Sequence, residues 1–337
     1  MTRICIFGAG AIGGFIGARL VRKGDADVSL VARGAHLQAM KANGLRLTEA
    51  GEERVVHPRV TADPRELGPQ DFIILTLKSH ALPGVVDALQ PLIGPDTAIL
   101  FGQNGLPWWY FYRHGGRFEG RHLECVDPGG VLWRRLGPER ALGCVIWQAA
   151  EIASPGHVVH MYGERMPLGE PSGEITDRVK TLSGLLMAAG LKSPVKPHLR
   201  DEIWLKLWGN LSFNPVSALT KGTLEMLARD ASARRVLRAM MEEAQTVGEA
   251  LGVTFPVDVE ERMDMAAKVG AHRTSMLQDV DNGRPTELDA LLGVVIELAQ
   301  MTGIATPALK LVYDLTGFRA RMGALGFGTI RQEALTT

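Results

Sequence analysis

Cysteine is scarce in this 337-residue chain: Cys5, Cys125 and Cys144 lie far apart, and none stands in a CxxC pair. Neither a disulfide framework nor a cysteine metal knuckle is expected, and the thiols read as free in a reducing compartment. An excess of charge is missing too. Lysine plus arginine and aspartate plus glutamate each number 37. No net field is left to hold the molecule on nucleic acid or an anionic membrane, which points to a small-molecule partner. No long hydrophobic run is present: the most apolar late stretch, residues 288–301, is interrupted by Asp289 and Glu297 and is too short to span a bilayer. Residues 3–7 already read as a strand, which leaves no room for a charged leader and an apolar signal core. A cytoplasmic location follows as the expectation. A metal site is not expected either, because His157 and His160 fall in a strand-like run where i and i+3 point to opposite faces.

What is present is apolar residues, 46% of the chain, in a length that suits two domains. The first third alternates strand and helix patterns, the mark of a parallel sheet covered by helices. Residues 3–7, 27–32, 71–77 and 97–101 read as strands, and residues 11–23 as a helix. Residues 45–60 alternate around Glu49-Ala50-Gly51 as a hairpin-like excursion. Apolar residues at helical spacing predict a helix over 80–92. Residues 143–152 read as one more strand, and 157–161 as its hairpin partner closing the sheet. A helix over 175–189 precedes Pro194 and Pro197, where the domain boundary is placed: residues 1–195 and 196–337. From 199 to 322 nearly every segment has helical period, with breaks at Pro215, Pro256, Pro285 and Pro307. The tail beyond Arg321 is rich in glycine and small residues and is expected to be loosely ordered. The fold class is therefore an α/β Rossmann-type parallel-sheet domain followed by an all-helical domain.

Gly8-Ala9-Gly10-Ala11-Ile12-Gly13 directly follows a strand and opens a helix. Gly8 can make the tight turn, Gly10 can let the backbone approach a pyrophosphate, and Gly13 can pack helix against strand. The helix N-terminus then offers unpaired N–H donors to the phosphates. About 20 residues beyond the third glycine an NAD-binding chain carries an acid for the ribose hydroxyl. Here that place reads Val31-Ala32-Arg33, and the guanidinium of Arg33 suits a 2′-phosphate, which selects NADP(H) over NAD. Read blandly, Arg33 is a solvated surface arginine. Lys78 and Asn104 each follow a buried strand, so both would face a crevice at the carboxyl ends of the strands. Taken singly, they are equally a helix-start lysine and a turn asparagine.

Lys206, Asn210 and Asn214 recur at i, i+4 and i+8, on one face of a predicted helix beside the apolar stripe Ile203, Leu207 and Leu211. A solvated face normally carries glutamate-lysine pairs rather than asparagines, which are poor helix formers. Ketone reduction needs a proton for the oxygen as hydride reaches carbon. A lysine ammonium can donate it and stabilise the developing alkoxide, while amides hold the substrate oxygens. Ser275 offers a hydroxyl for a carboxylate. Glu287 could pair with the lysine or hold the cofactor ribose; by composition alone it is the first-turn acid of a helix.

Together these segments resemble the ketopantoate reductase (2-dehydropantoate 2-reductase) family over nearly the whole chain. The carriers are the glycine turn through Gly14, Leu75-Thr76-Leu77-Lys78, Gln103-Asn104-Gly105, the stretch from Trp204 to Pro215, Ser275 to Asp279, and Thr286-Glu287. The resemblance implies a Rossmann domain joined to a helical domain of the 6-phosphogluconate dehydrogenase C-terminal type, with the active site in the cleft between them. It further implies a homodimer that reduces a 2-oxo acid with NADPH. Lys206 would be the general acid, Asn104, Asn210 and Asn214 would bind substrate, Ser275 its carboxylate, and Glu287 would orient cofactor and lysine. Gly8 to Gly13, Arg33, Lys78, Asn104 and Ala150 would contact NADP. Two departures stand out. Pro107-Trp108-Trp109-Tyr110-Phe111-Tyr112 opens an insertion reaching to about residue 137, readable as a lid or as a dimer contact. The asparagine that many members place after the Asn-Pro pair is missing from residues 218–224. The particular 2-oxo acid stays open, as do a 3-hydroxy acid dehydrogenase, which would need neither Ser275 nor Glu287, and a non-catalytic NADP sensor, which would not need Lys206.

Overall fold

The computed structural model describes residues 1–324; the tail expected to be loosely ordered lies mostly outside them. The chain divides into two compact units, Met1–Glu202 and Ile203–Thr337, and the first is α/β. In chain order its elements begin β1 (Thr2–Phe7), α1 (Ala11–Lys23), β2 (Ala26–Val31), α2 (Gly34–Asn43), β3 (Leu45–Glu49), β4 (Glu52–Val56), β5 (Arg59–Thr61) and β6 (Gln70–Leu75). They continue with α3 (Val86–Leu89), β7 (Ile93–Phe101), α4 (Val131–Arg135), β8 (Ala141–Cys144), β9 (Ala149–Ser154), β10 (His157–Tyr162), β11 (Leu168–Gly169) and α5 (Asp177–Ala188). Seven strands form one sheet in the order β11-β8-β7-β6-β1-β2-β5, parallel except for β11. This is the Rossmann-type sheet that the alternating pattern predicts.

A second sheet, β4-β3-β10-β9, holds the hairpin expected over 45–60. It also corrects one expectation. Residues 143–152 are two strands: the chain leaves the main sheet after Cys144 and re-enters pairing at Ala149 in the second sheet. The hairpin β9-β10 therefore closes the second sheet, while β11 ends the main one on that side. The sequence pattern does not disclose such a change, because it does not show that the first piece is buried within the main sheet while the second is half-buried to exposed at the edge of the other. Residues 80–92 differ as well: Pro83 and Pro91 cut the expected helix into single 3-10 turns around the one-turn α3.

Helix α1 lies between the two sheets, which explains its unbroken buried run from Gly13 to Leu20. A Cβ on Gly14 would stand 2.9 Å from Val158 Cγ2 of the second sheet, and one on Gly17 3.3 Å from Leu30 of the main sheet. Small residues let this helix touch both layers. Arg19, 7% exposed, ties the assembly together: it pairs with Glu49 at 2.5 Å, donates to the Gly190 carbonyl at 2.7 Å and covers the Phe15 ring.

The aromatic run that opens the insertion lies in the core, unlike a lid or an exposed contact. Trp108, Trp109, Tyr110 and Phe111 are all 2% exposed or less. Trp108 meets Phe101 edge-on at 5.4 Å, and Trp109 fills the space that Gly143 leaves open, where a Cβ would lie 2.5 Å from its ring. Arg200 holds the segment by donating to the carbonyls of Tyr110, Tyr112 and Pro171. Residues 108–111 are thus a core plug at the β8 side of the sheet.

Among the described residues the second unit is all-helical, as expected. Helix α6 (Leu199–Thr220) begins in the first unit and runs on into it, followed by α7 (Leu224–Arg229), α8 (Ala231–Ala250), α9 (Val259–Ala267), α10 (Ser275–Asp281), a π-turn over Asp289–Gly293, α11 (Val294–Thr302) and α12 (Pro307–Ala324). Pro215 does not end α6. Burial of nearly every residue from Leu211 to Ala218 outweighs the one backbone bond the proline removes. Trp208 anchors the helix by donating to the Met241 carbonyl at 2.7 Å, and Phe255 packs on both Trp204 and Trp208.

Candidate active site

At the carboxyl end of β1 the chain turns at Gly8, whose φ of +98° belongs to glycine. The amides of Gly8 and Ala9 both donate to the Val31 carbonyl, and Thr76 Oγ1 donates to the Gly8 carbonyl at 2.7 Å. A Cβ on Gly13 would stand 2.4 Å from that same carbonyl, whereas Gly10 has nothing nearer than 4.0 Å. Gly13 thus closes the turn, and Gly10 presents bare backbone. No side chain caps α1, and its first internal bond is from the Gly14 amide to the Gly10 carbonyl. The amides of Ala11, Ile12 and Gly13 precede that bond and are available to an anion at the helix N-terminus.

In front of this turn lies a cavity of about 520 Å³, lined by Gly8, Ala9, Gly10, Arg33, His36 and Lys78 among others. The structure brings these predicted residues together. Arg33 is exposed, directly after β2 and at the N-cap of α2; Lys78 is half-buried, beyond β6. A bare glycine turn, an uncapped helix start and two cations fit the phosphates of a dinucleotide. His36 escaped the sequence reading. Its Nδ1 accepts the Gly156 amide at 2.9 Å, clipping α2 to the β9-β10 turn, and burial holds its pKa below the usual histidine value.

Asn104 lies beyond β7, in a bend completed by Gly105 at φ +89°. Gln103 fixes that bend by donating to the carbonyls of Leu75 and Leu77 at 2.9 and 3.2 Å. Ala150 is on β9 in the second sheet and packs, with Ile12, against the core; Ile152, two residues on, lines the cavity. The two histidines of the HxxH run have separate partners: His157 bonds Thr48 Oγ1, and His160 stacks on Phe15 at 4.4 Å.

In the helical unit Lys206, Asn210 and Asn214 share α6. Lys206 and Asn210 are half-buried, and Asn214 is buried. Ser275 is exposed at the first position of α10, where Thr274 caps the helix. Glu287 is only 9% exposed and precedes the π-turn over Asp289–Gly293. Such burial is unlike a solvated first-turn acid, and π-turns gather at functional sites. Arg262 also went unread. Its guanidinium is buried against α6, where a Cβ on Gly209 would overlap it, and it donates to the Leu205 carbonyl at 3.4 Å. Burial pulls its pKa down to about 10. The one signal for it in the sequence is Gly209 inside a helix, where glycine costs about 1 kcal/mol.

A parallel sheet with a glycine turn and cations along its carboxyl edge, joined in one chain to a lysine-asparagine helix in a helical unit, defines a Rossmann-type oxidoreductase with a helical second unit. The chain belongs to the ketopantoate reductase family: residues 4–173 match the model described as Ketopantoate reductase PanE/ApbA, and residues 198–320 its C-terminal counterpart. A 2-dehydropantoate 2-reductase from Mesorhizobium japonicum is 50% identical over 313 residues, covering 93% of this chain and 96% of that protein. A crystal structure from Ralstonia solanacearum is 39% identical with a TM-score of 0.91, covering 95% of this chain and 98% of that one. The 2-dehydropantoate 2-reductase from Geobacter metallireducens is 28% identical with a TM-score of 0.83, covering 94% and 99%.

Proposed function

We propose that the protein reduces a 2-oxo acid to the 2-hydroxy acid with NADPH, and that 2-dehydropantoate is its substrate. The observation that carries this reading is the face of α6 on which Lys206, Asn210 and Asn214 follow one another. The half-identical relative named 2-dehydropantoate 2-reductase supports the choice of acid.

In this reading the chain holds the dinucleotide phosphates on the first-turn amides of α1, with Arg33 on the 2′-phosphate and Lys78 and Asn104 further along. When bound, the dinucleotide supplies a hydride. Lys206 donates the proton that the ketone oxygen acquires and stabilises its developing charge. Asn210 and Asn214 hold the substrate oxygens, Ser275 its carboxylate, and Glu287 orients Lys206.

The test is NADPH oxidation followed with ketopantoate and a panel of other 2-oxo acids, beside NADP+ reduction with 3-hydroxy acids. Turnover of ketopantoate above the rest is the expected outcome. Turnover of 3-hydroxy acids alone, or tight NADPH binding with no turnover, would overturn it in favour of a 3-hydroxy acid dehydrogenase or a sensor.

A further inference from the structure

Arg262, on α9, is a buried charge without an anion. It is 9% exposed, and among the described residues its side chain makes one hydrogen bond, the long one from Nε to the Leu205 carbonyl. Burial lowers its pKa with no neighbouring acid to hold it up. The acids of the surrounding helices are committed elsewhere. Glu260 and Asp264, two residues to either side and so on the far face of α9, pair with Arg234 and Arg238 of α8. Asp258 is exposed and accepts the amide of Glu261, itself exposed. On α8 Glu243 accepts the amides of Ala308 and Leu309, and on α7 Glu225 pairs with Arg229. On α6 Glu202 pairs with Arg165 and Lys196. An unpaired buried charge weakens a fold, and an apolar side chain of similar size is often more stable in its place. Stability therefore does not account for this arginine.

Its position against α6 does. A Cβ on Gly209 would stand 1.8 Å from Arg262 Nη2 and 3.2 Å from Nη1, so the guanidinium fills the place that a side chain at 209 would take. Helix positions three residues apart are surface neighbours, with about 5–6 Å between Cβ atoms. Lys206 is three residues before Gly209 and half-buried, and its stem keeps Nζ within roughly 10 Å of the guanidinium. Two like charges placed so, partly withdrawn from water, each disfavour the other. The guanidinium, with a pKa of about 10, stays charged at neutral pH, so the strain falls on the lysine ammonium. A proton donor works best when its affinity for the proton is matched to the working pH.

We infer that Arg262 acts through Lys206: its charge, held against α6 at Gly209, makes the ammonium readier to give its proton to the ketone oxygen. It is a positioning residue for the reaction and has no contact with substrate assigned to it. Glu287, the carboxylate that orients Lys206 in the proposed reading, pulls the other way, and Arg262 offsets it. The inference rests on the reading of Lys206 as the general acid.

Two measurements test it on the whole protein in wild type, Arg262→Met, Arg262→Gln and Arg262→Lys. In the ligand-free protein, labelling of Lys206 by acetic anhydride is followed against pH by peptide mass spectrometry, because only the free amine reacts. With NADPH and ketopantoate, kcat is followed into the alkaline range, where a general acid loses its proton. In the Met and Gln variants the labelling midpoint and the alkaline fall of kcat should both move up by about one pH unit, a roughly 10-fold gain in proton affinity. Both should move less in the Lys variant, which retains a charge. The melting temperature of the Met variant should not fall, and the Gln variant carries the test if the Met variant fails to fold. A role confined to packing would lower the melting temperature or kcat and leave both midpoints in place. Unmoved midpoints in the Met and Gln variants, or equal movement in all three variants, would overturn the inference. Wild-type kcat in Lys206→Ala, or a wild-type protein that reduces no 2-oxo acid, would instead sink the functional reading, and the labelling midpoints would still report what Arg262 does to Lys206.

Discussion

Arg33 stands where a dinucleotide fold chooses between two cofactors, and its place could be counted from the glycine turn because a βαβ unit has nearly fixed dimensions. It is exposed, so removing it should disturb little of the fold. Arg33→Ala should raise the KM for NADPH about 10-fold or more, the scale of a lost charge-assisted contact, while the KM for NADH barely moves. Steady-state kinetics with both cofactors check this, and a parallel rise for NADH would contradict it. Other residues could not be found by counting. Arg262 matters for what surrounds it, a guanidinium under a helix, and that condition leaves no mark in the sequence next to it.

At the scale of elements, α1 was legible, because an apolar run and three spaced glycines announce a strand, a turn and the helix after it, and Gly24 ends that helix in the left-handed conformation. The sequence did not announce that a second sheet covers its other side. The adjacent glycines 13 and 14 serve the two sides separately. Gly13→Ala would drive a methyl into the Gly8 carbonyl and Thr76 Oγ1, 2.4 and 2.5 Å away, and should abolish dinucleotide binding by opening the turn. Gly14→Ala meets Val158, which is fully buried, and should destabilise the fold by about 1–3 kcal/mol through overpacking while binding survives. Thermal melts beside NADPH titration separate the two outcomes; identical behaviour of both variants would contradict the assignment. Elsewhere the local signal misled. Pro215 reads as a helix stop, yet the packing of α6 carries the helix past it. The aromatic run 108–111 reads as a surface feature, yet it fills the core beside Gly143. Both are decided by contacts distant in sequence.

For the whole molecule, the fold class was legible from two periodicities that change near residue 199, from strands alternating with helices to helices alone. Its response to pH follows from groups that only the folded structure assembles. Burial lowers the pKa of His36, His114 and His272. Folding therefore keeps these rings neutral where the unfolded chain, titrating near 6.5, would take up protons. The unfolded state then binds more protons, and stability falls as pH drops below about 6.5. A second loss follows below about 4.3. Burial tends to raise Glu202, but Arg165 at 2.6 Å and Lys196 at 3.3 Å more than offset it and hold its pKa low, so its contribution disappears as it is protonated. Melting temperatures between pH 7.5 and 5.0 should decline at the acid end. The decline should be shallower in His36→Asn, whose Oδ1 can still accept the Gly156 amide. A melting temperature that stays flat over that range would contradict this account.

The central claim is that a lysine on α6 hands a proton to a ketone as hydride arrives, and Lys206→Ala tests it most directly. NADPH oxidation is followed with saturating ketopantoate in wild type and variant, with NADPH affinity measured alongside. The account predicts that kcat falls about 100- to 10,000-fold, the range for removal of a general acid, while NADPH binds as before. A variant that keeps near-wild-type kcat would contradict it and leave the α6 face without the catalytic role assigned to it.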